Sequence, residues 1–198
     1  VQLLVDAGAT NKTKMLNHII KADSVFLGEG KAILIEEFGK DYGVYFSILS
    51  AIARGKTLRS EIEQIVGREI GGYLTKLEKE YEVITKNQPI FEKSSTKNVR
   101  YTIEDNFFTF WFRFIYKYNY MLEIENYDAV KTIINRDYET FSGKMLERYF
   151  KRVLMESKAY TRIGSWWDRK GENEIDIVAE NELNDEAVFI EVKRKEEN

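Results

Sequence analysis

The chain has 198 residues, of which 43% are hydrophobic, 32% charged and 14% aromatic, and its formal net charge is −3. With no Cys and a single His, His18, it excludes disulfides, thiolate zinc sites and multi-His metal sites, and a Ser-His-Asp triad is not expected. The apolar fraction is too high for a disordered chain, the apolar runs are too short for a membrane span, and the acidic balance argues against a general basic coat while allowing a local basic face. Chemistry is left to carboxylates, Lys and Arg, and hydroxyls, with a cytoplasmic location and no membrane association expected.

The first residue is Val1 rather than Met, and Asn198 comes shortly after a strongly apolar run. A piece of a longer protein is therefore expected. Residues 1–40 read as short helical pieces with turns at Gly8 and at Gly28–Gly30. Leu27-Gly28-Glu29-Gly30-Lys31-Ala32 is not a phosphate loop, because Val25 stands where the first Gly belongs and Ala32 where the hydroxyl belongs. A loop between helices is expected there.

Residues 41–104 carry three helical patterns. Tyr45, Ile48, Leu49 and Ile52 repeat at helical spacing before Gly55. Thr57 is placed to cap a second helix, with Ile62, Ile65 and Val66 inward and Gly67 as its stop. A third helix, over about Arg68–Glu80, aligns Ile70, Tyr73, Leu74 and Leu77. Strand-like Glu82–Thr85 and Val99–Ile103 then flank the polar run Lys93–Asn98. Three short helices followed by a ribbon with a polar tip is the winged-helix order. In a DNA-binding reading, Arg68, Thr75 and Lys76 on the third helix and Lys93, Lys97 and Arg100 on the ribbon contact the duplex. Glu69, Glu78, Glu80 and Glu92 sit among these cations, so a protein-docking or spacer role stands beside it.

Residues 105–140 form a helical bridge. Phe107, Phe108, Phe110, Trp111, Phe112, Phe114, Tyr116, Tyr118 and Tyr120 put rings on nearly every face, which calls for protein on most sides. Asp128–Asp137 reads as a further short helix.

Residues 141–198 concentrate the chemistry. Phe141–Lys158 reads as a helix with Leu146, Tyr149, Phe150, Val153 and Leu154 inward. Glu147 lies at the border of that stripe, one turn after Gly143, whose missing side chain would admit a neighbouring strand. An ordinary pair of Glu147 with Lys151 would contribute only ~0.3–0.5 kcal/mol. Two strands come next, Glu174–Ala179 and Val188–Lys193, joined by the polar loop Asn181–Glu186. A hairpin folded symmetrically about that loop sets Asp176 opposite Glu191 and Glu174 opposite Lys193, with directly opposed Cβ atoms ~4.5–5.5 Å apart. Facing carboxylates repel unless a proton or cation sits between them. Mg2+ or Mn2+ suits Asp176, Glu191 and Glu174 as oxygen ligands, and Lys193 is placed to stabilise a developing oxyanion. The other reading is a Glu174–Lys193 cross-strand ion pair with Asp176 and Glu191 simply solvated.

Asp176 followed by Glu191-Val192-Lys193 resembles the D…E-x-K signature of the PD-(D/E)XK nuclease superfamily, with its restriction-endonuclease-like fold. Glu147 falls where many members carry a helix glutamate. Tyr45–Gly55, Tyr101-x-Ile103-x-Asp105-Asn106-Phe107-Phe108-x-Phe110-Trp111-Phe112-Arg113-Phe114, and Ile163-Gly164-Ser165-Trp166-Trp167-Asp168 before Glu174-Ile175-Asp176 are similar to the C-terminal half of prokaryotic AAA-type ATPases ending in a DUF234 domain. The resemblance implies an N-terminal P-loop ATPase domain outside this sequence, which would bind the ATP, with residues 1–40 trailing its lid. It also implies a mixed α+β or α/β chain in which the winged helix precedes a truncated nuclease-like core. Asp176, Glu191, Lys193 and Glu147 are then the expected catalytic set, acting on DNA phosphodiesters. Ile175 replaces the Pro of the motif name, and the superfamily core continues with a strand and a helix beyond the E-x-K strand. A catalytically silent docking arm of the ATPase is the alternative.

Overall fold

The computed structural model describes residues 8–9 and 11–194. The expectation of helical pieces over 1–7 lies outside the described residues. The chain is α+β and divides into two compact units, Val1–Thr85 with Thr102–Asp137, and Lys86–Tyr101 with Tyr138–Asn198. No helix among the described residues is long and apolar enough to cross a membrane.

The first unit is helical. Helix α1 (Lys12–Ile19) is capped by Asn11, whose side chain accepts from the Lys14 N–H at 2.9 Å. Helix α2 (Val25–Phe38) runs straight through Gly28-Glu29-Gly30, so the loop expected there does not exist. Each Gly costs about 1 kcal/mol in a helix, but burial of Phe26, Leu34 and Phe38 around that stretch outweighs it. A short 3-10 turn, Gly39–Asp41, leads into α3 (Tyr42–Ala53). The expected inward residues Tyr45, Ile48, Leu49 and Ile52 are all buried. Gly55, with φ of 92°, ends α3 as anticipated.

Helix α4 (Arg59–Val66) starts one residue later than expected. Leu58, not Thr57, is the N-cap, and Glu61 reaches back to accept its N–H. Ile62 is buried, whereas Ile65 is 45% exposed, because an eight-residue helix presents only one narrow face to the core. Gly67 closes the helix in the left-handed conformation. Helix α5 (Gly71–Lys79) buries Ile70 at its cap together with Leu74 and Leu77. Strands β1 (Ile84–Asn87) and β2 (Arg100–Ile103) pair as a two-stranded ribbon after these helices.

The aromatic bridge is helical in three pieces, α6 (Asn106–Phe110), a π turn (Trp111–Tyr116) and α7 (Asn119–Glu123). Trp111, Phe112 and Phe114 are buried, and Phe46 of α3 meets Trp111, Phe112 and Tyr116 edge-on at 5.2–6.1 Å between centroids. Tyr120 is the exception, 58% exposed.

Helix α8 (Tyr127–Ser157) is 31 residues long and replaces the two separate helices expected over Asp128–Asp137 and Phe141–Lys158. Tyr138-Glu139-Thr140 interrupts the apolar pattern but contains neither Gly nor Pro, so nothing stops helical hydrogen bonding. Its residues from Tyr138 onward belong to the second unit. There the antiparallel sheet β3 (Arg162–Trp167), β4 (Glu174–Asn181) and β5 (Glu186–Ile190) forms in sequence order. Ile177, Val178 and Ala179 are consecutive and all buried, so both faces of the central strand are covered. The anticipated stripe on α8 is inward only in part: Leu146 and Leu154 are partly buried, whereas Tyr149, Phe150 and Val153 are 60%, 42% and 41% exposed.

Segment 86–101 is stitched to β3 within the second unit. Ile90 donates its N–H to Ser165 O at 2.8 Å, beside an irregularity in the β3–β4 pairing between Gly164 and Trp166. A Cβ on Gly164 would lie 2.9 Å from the Ile90 Cβ, whereas one on Gly143 would meet nothing within 4 Å. Gly164, not Gly143, is thus the glycine that admits a neighbour. Gly164→Ala is expected to destabilise the protein by about 1–3 kcal/mol, the usual cost of overpacking. Urea denaturation checks this, with Gly143→Ala as the control that does not lose stability by that route.

Candidate carboxylate site

The hairpin register is the one expected from the loop: Ile177 pairs with Ile190, Val178 with Phe189 and Ala179 with Val188. The β5 ladder stops at Ile190, so Glu191–Lys193 lies past the strand rather than inside it. One side chain nevertheless holds this exit in line. The Asp176 carboxylate accepts the backbone N–H of Val192 at 2.8 Å. Further on, Arg194 donates to the Ser142 hydroxyl at 3.0 Å and lies over the Tyr138 ring, 5.6 Å from its centroid. The post-strand segment is therefore tied to α8 a little more than one turn before Glu147.

Glu147 is half-buried and pairs with Lys144 at 3.1 Å. Burial pushes its carboxyl above the ordinary Glu value, the Lys144 ammonium opposes that shift, and the negative charges of Asp176 and Glu174 add to it. Glu147, Asp176 and Glu174 accordingly share one electrostatic neighbourhood. Glu174 takes Arg100 as its partner at 2.9 Å, in place of the Lys193 anticipated for it. Lys193 turns instead to Glu191 at 3.1 Å, and both side chains are more than two-thirds exposed. An exposed pair of this kind contributes ~0–1 kcal/mol. Among the described residues no three of His, Asp or Glu come close enough together to hold a metal ion.

The expected DNA contacts fall on both units. Arg68, Thr75 and Lys76 are exposed in the first, with the Arg68 guanidinium over Tyr73 and the Thr75 hydroxyl donating to Gly71 O. Lys93 and Lys97 are exposed in the second. Arg100 is engaged: besides Glu174 it stacks over Trp167, 4.5 Å from the ring centroid. Trp167 is buried and donates its indole N–H to Asn98 Oδ1 at 2.9 Å, while Asn98 donates in turn to Glu92 at 3.2 Å. The polar run read as a ribbon tip thus ends in a buried Asn98 docked on β3. Sixty-nine residues separate Asn98 from Trp167, so no local pattern announces their contact.

The β3–β4 turn is shaped by Asp168. Its carboxylate accepts the N–H groups of Lys170 and Glu172 at 3.0 Å and of Asn173 at 3.1 Å. The Asn173 side-chain bond is the largest cause holding that carboxyl below the ordinary Asp range.

The second unit is therefore an antiparallel α+β module that collects carboxylates at one end of its hairpin. Residues 111–198 match DUF234, described as archaeal and bacterial proteins of unknown function. Over 188 residues the chain is 34% identical to an uncharacterized protein of Methanocaldococcus jannaschii, a match covering 90% of this chain and 42% of that protein. The chain thus spans less than half the length of this relative. No solved structure matches the chain.

The raised Glu147 carboxyl makes a signed prediction. In the window between the ordinary Glu value and the raised one, the folded state binds the proton more tightly than the unfolded state. This contribution to stability is complete below that window and is lost as pH rises through it. Glu147→Gln is expected to match the parent in urea at pH 4 and to be the more stable of the two at pH 7.

Proposed function

We propose that the C-terminal unit is a nuclease-like module that binds one divalent cation and hydrolyses DNA phosphodiester bonds, working as the arm of an AAA-type ATPase whose nucleotide domain, with its ATP, lies elsewhere in the protein. The observation that supports this reading is the Glu147 carboxyl, raised by burial first and then by the negative charges of Asp176 and Glu174, beside the Asp176 carboxylate that accepts the Val192 N–H past the end of β5. All-oxygen donors suit Mg2+ or Mn2+. Asp176 and Glu191 would hold the ion, with Glu147 beside them, and Glu174 is withdrawn by Arg100. The ion would neutralise charge on the phosphate and make a bound water more acidic. Lys193, released from Glu191, would stabilise charge developing on the phosphate oxygens. The reaction adds water across one P–O bond, leaving a phosphate on one product and a hydroxyl on the other.

In this reading the first unit supplies a winged helix that presents Thr75 and Lys76 on α5, with Arg68 just before that helix, to DNA; Lys93 and Lys97 are separate candidate phosphate contacts carried by the second unit. Arg100 holds Glu174 and is not among the contacts.

A second reading is favoured by a specific observation. Asp176, Glu174, Glu147 and Glu191 each already have a structural partner, and no three acidic groups among the described residues lie within reach of one ion. A catalytically silent fold that docks DNA or protein for the ATPase would retain such an arrangement. Titration with Mn2+ separates the two. The nuclease reading expects a binding heat that Asp176→Ala abolishes, and Mn2+-dependent nicking of plasmid DNA that Lys193→Ala slows by about 100-fold or more, the scale of a lost oxyanion contact. Equal heats for parent and Asp176→Ala leave only the docking arm.

For DNA binding, the triple change Arg68→Ala, Lys76→Ala, Lys97→Ala is expected to weaken retardation of a duplex and to flatten its salt dependence by up to about three phosphate contacts. Unchanged retardation removes the proposed DNA face.

A further inference from the structure

The second unit places an arginine at the edge of its carboxylates. Arg100 donates to the Glu174 carboxylate at 2.9 Å, and its guanidinium lies over the Trp167 ring, 4.5 Å from the centroid. The Arg100 side chain is 21% exposed, against 75% for that of Lys193.

This placement follows from the sheet. Trp167 and Glu174 are direct partners in the β3–β4 ladder, so their side chains share one face. Asp176, two residues after Glu174, belongs to the same face. The backbone that carries Arg100 is docked there by Asn98 and Trp167, which hydrogen-bond each other twice. The indole N–H donates to Asn98 Oδ1 at 2.9 Å, and the Asn98 amide donates to Trp167 O at 3.4 Å. Ile90 adds a further tie, to Ser165 O at 2.8 Å. Arg100 therefore meets Glu174 from an anchored segment, with its guanidinium held by a ring.

Two-residue spacing along a strand sets the Cβ atoms of Glu174 and Asp176 about 6.5–7 Å apart. The reach of one Asp and one Glu side chain, plus two metal–oxygen bonds of about 2.1 Å, exceeds that spacing. One ion can thus bridge the two carboxylates. In the observed arrangement Glu174 is turned to Arg100, and among the described residues no three acidic groups meet.

We infer that Arg100 is an internal competitor for the divalent cation: while its guanidinium holds Glu174, the site lacks that ligand, and release of Arg100 adds it. The latch presupposes the cation-binding reading of the site and names what restrains it. Glu191 is restrained only by Lys193 in solvent, where an exposed pair yields readily. The shielded, stacked Arg100 is the stronger obstacle, because low exposure strengthens its attraction to Glu174. Ion and guanidinium repel each other and share one carboxylate, so binding of either opposes the other by the same factor.

Calorimetric titration of the chain with Mn2+ tests the latch, using Arg100→Gln, Glu174→Gln and the double variant. Arg100→Gln is expected to tighten Mn2+ binding by about tenfold, the scale of one freed carboxylate contact. In the Glu174→Gln background the same change is expected to alter affinity by less than about twofold, since no carboxylate is released. Thermal melting confirms that each variant is folded. Should Arg100→Gln fail to fold, Arg100→Lys takes its place: it keeps the charge but loses the planar fork and ring stacking, and an intermediate gain is expected. Equal affinities for the parent and the Arg100 variants overturn the inference and leave the cation site standing. A gain of the same size without Glu174 overturns it too, by reducing Arg100 to a general charge effect. No binding heat in any variant removes both the latch and the cation site. Binding that appears only after Arg100 is replaced supports the latch.

Discussion

One hydrogen bond, from the Val192 N–H to the Asp176 carboxylate, organises the chemically interesting end of the protein. The β5 ladder ends at Ile190, and backbone pairing no longer aligns the residues beyond it. A charged acceptor makes a stronger hydrogen bond than a carbonyl, so a single side chain replaces the missing ladder. Glu191 and Lys193 are thereby kept near the strand that carries Asp176, and Arg194 is delivered to Ser142 and Tyr138 of α8. Without that bond the two halves of the acidic motif belong to different segments with no common geometry.

The same region shows how the protein manages crowded negative charge. Glu174 is neutralised by Arg100, which is itself steadied by stacking on the buried Trp167. Glu147 has the Lys144 ammonium but is desolvated, and the negative charges of Asp176 and Glu174 add to the cost of its ionisation. Glu191 and Lys193 sit in solvent, where an ion pair contributes little and breaks easily. The cluster thus grades from a locked carboxylate to a strained one to a free-swinging one. That gradient is common to a cation-binding site and a silent docking fold, and it is why the two readings differ by one measurable property, affinity for the ion.

Much of the architecture was legible because it depends on local pattern. The buried residues of α3, the glycine stops at Gly55 and Gly67, and the symmetric β4–β5 register all derive from spacing and turn chemistry. The errors share a different origin. Gly28–Gly30 lies within a helix because Phe26, Leu34 and Phe38 are buried by the rest of the first unit. The polar gap at Tyr138–Thr140 does not divide α8, since polarity alone does not end a helix. Strand β3 was visible only as a motif, and its role as the strand that receives Ile90 and Asn98 came from residues far away in the chain.

Residue order by itself determined the restriction of chemistry to oxygen ligands and cations, the helical first part, and the facing of Asp176 toward the segment holding Glu191. These are set by residue type and by the two-residue period of a strand, which neighbours cannot alter. Tertiary structure alone decided which cation each carboxylate takes, that Arg100 serves Glu174, that Asn98 is buried on Trp167, and that Tyr149, Phe150 and Val153 of α8 are exposed. Those outcomes depend on which surfaces meet after folding, and long flexible side chains choose among several partners by distance and burial rather than by their position in the chain.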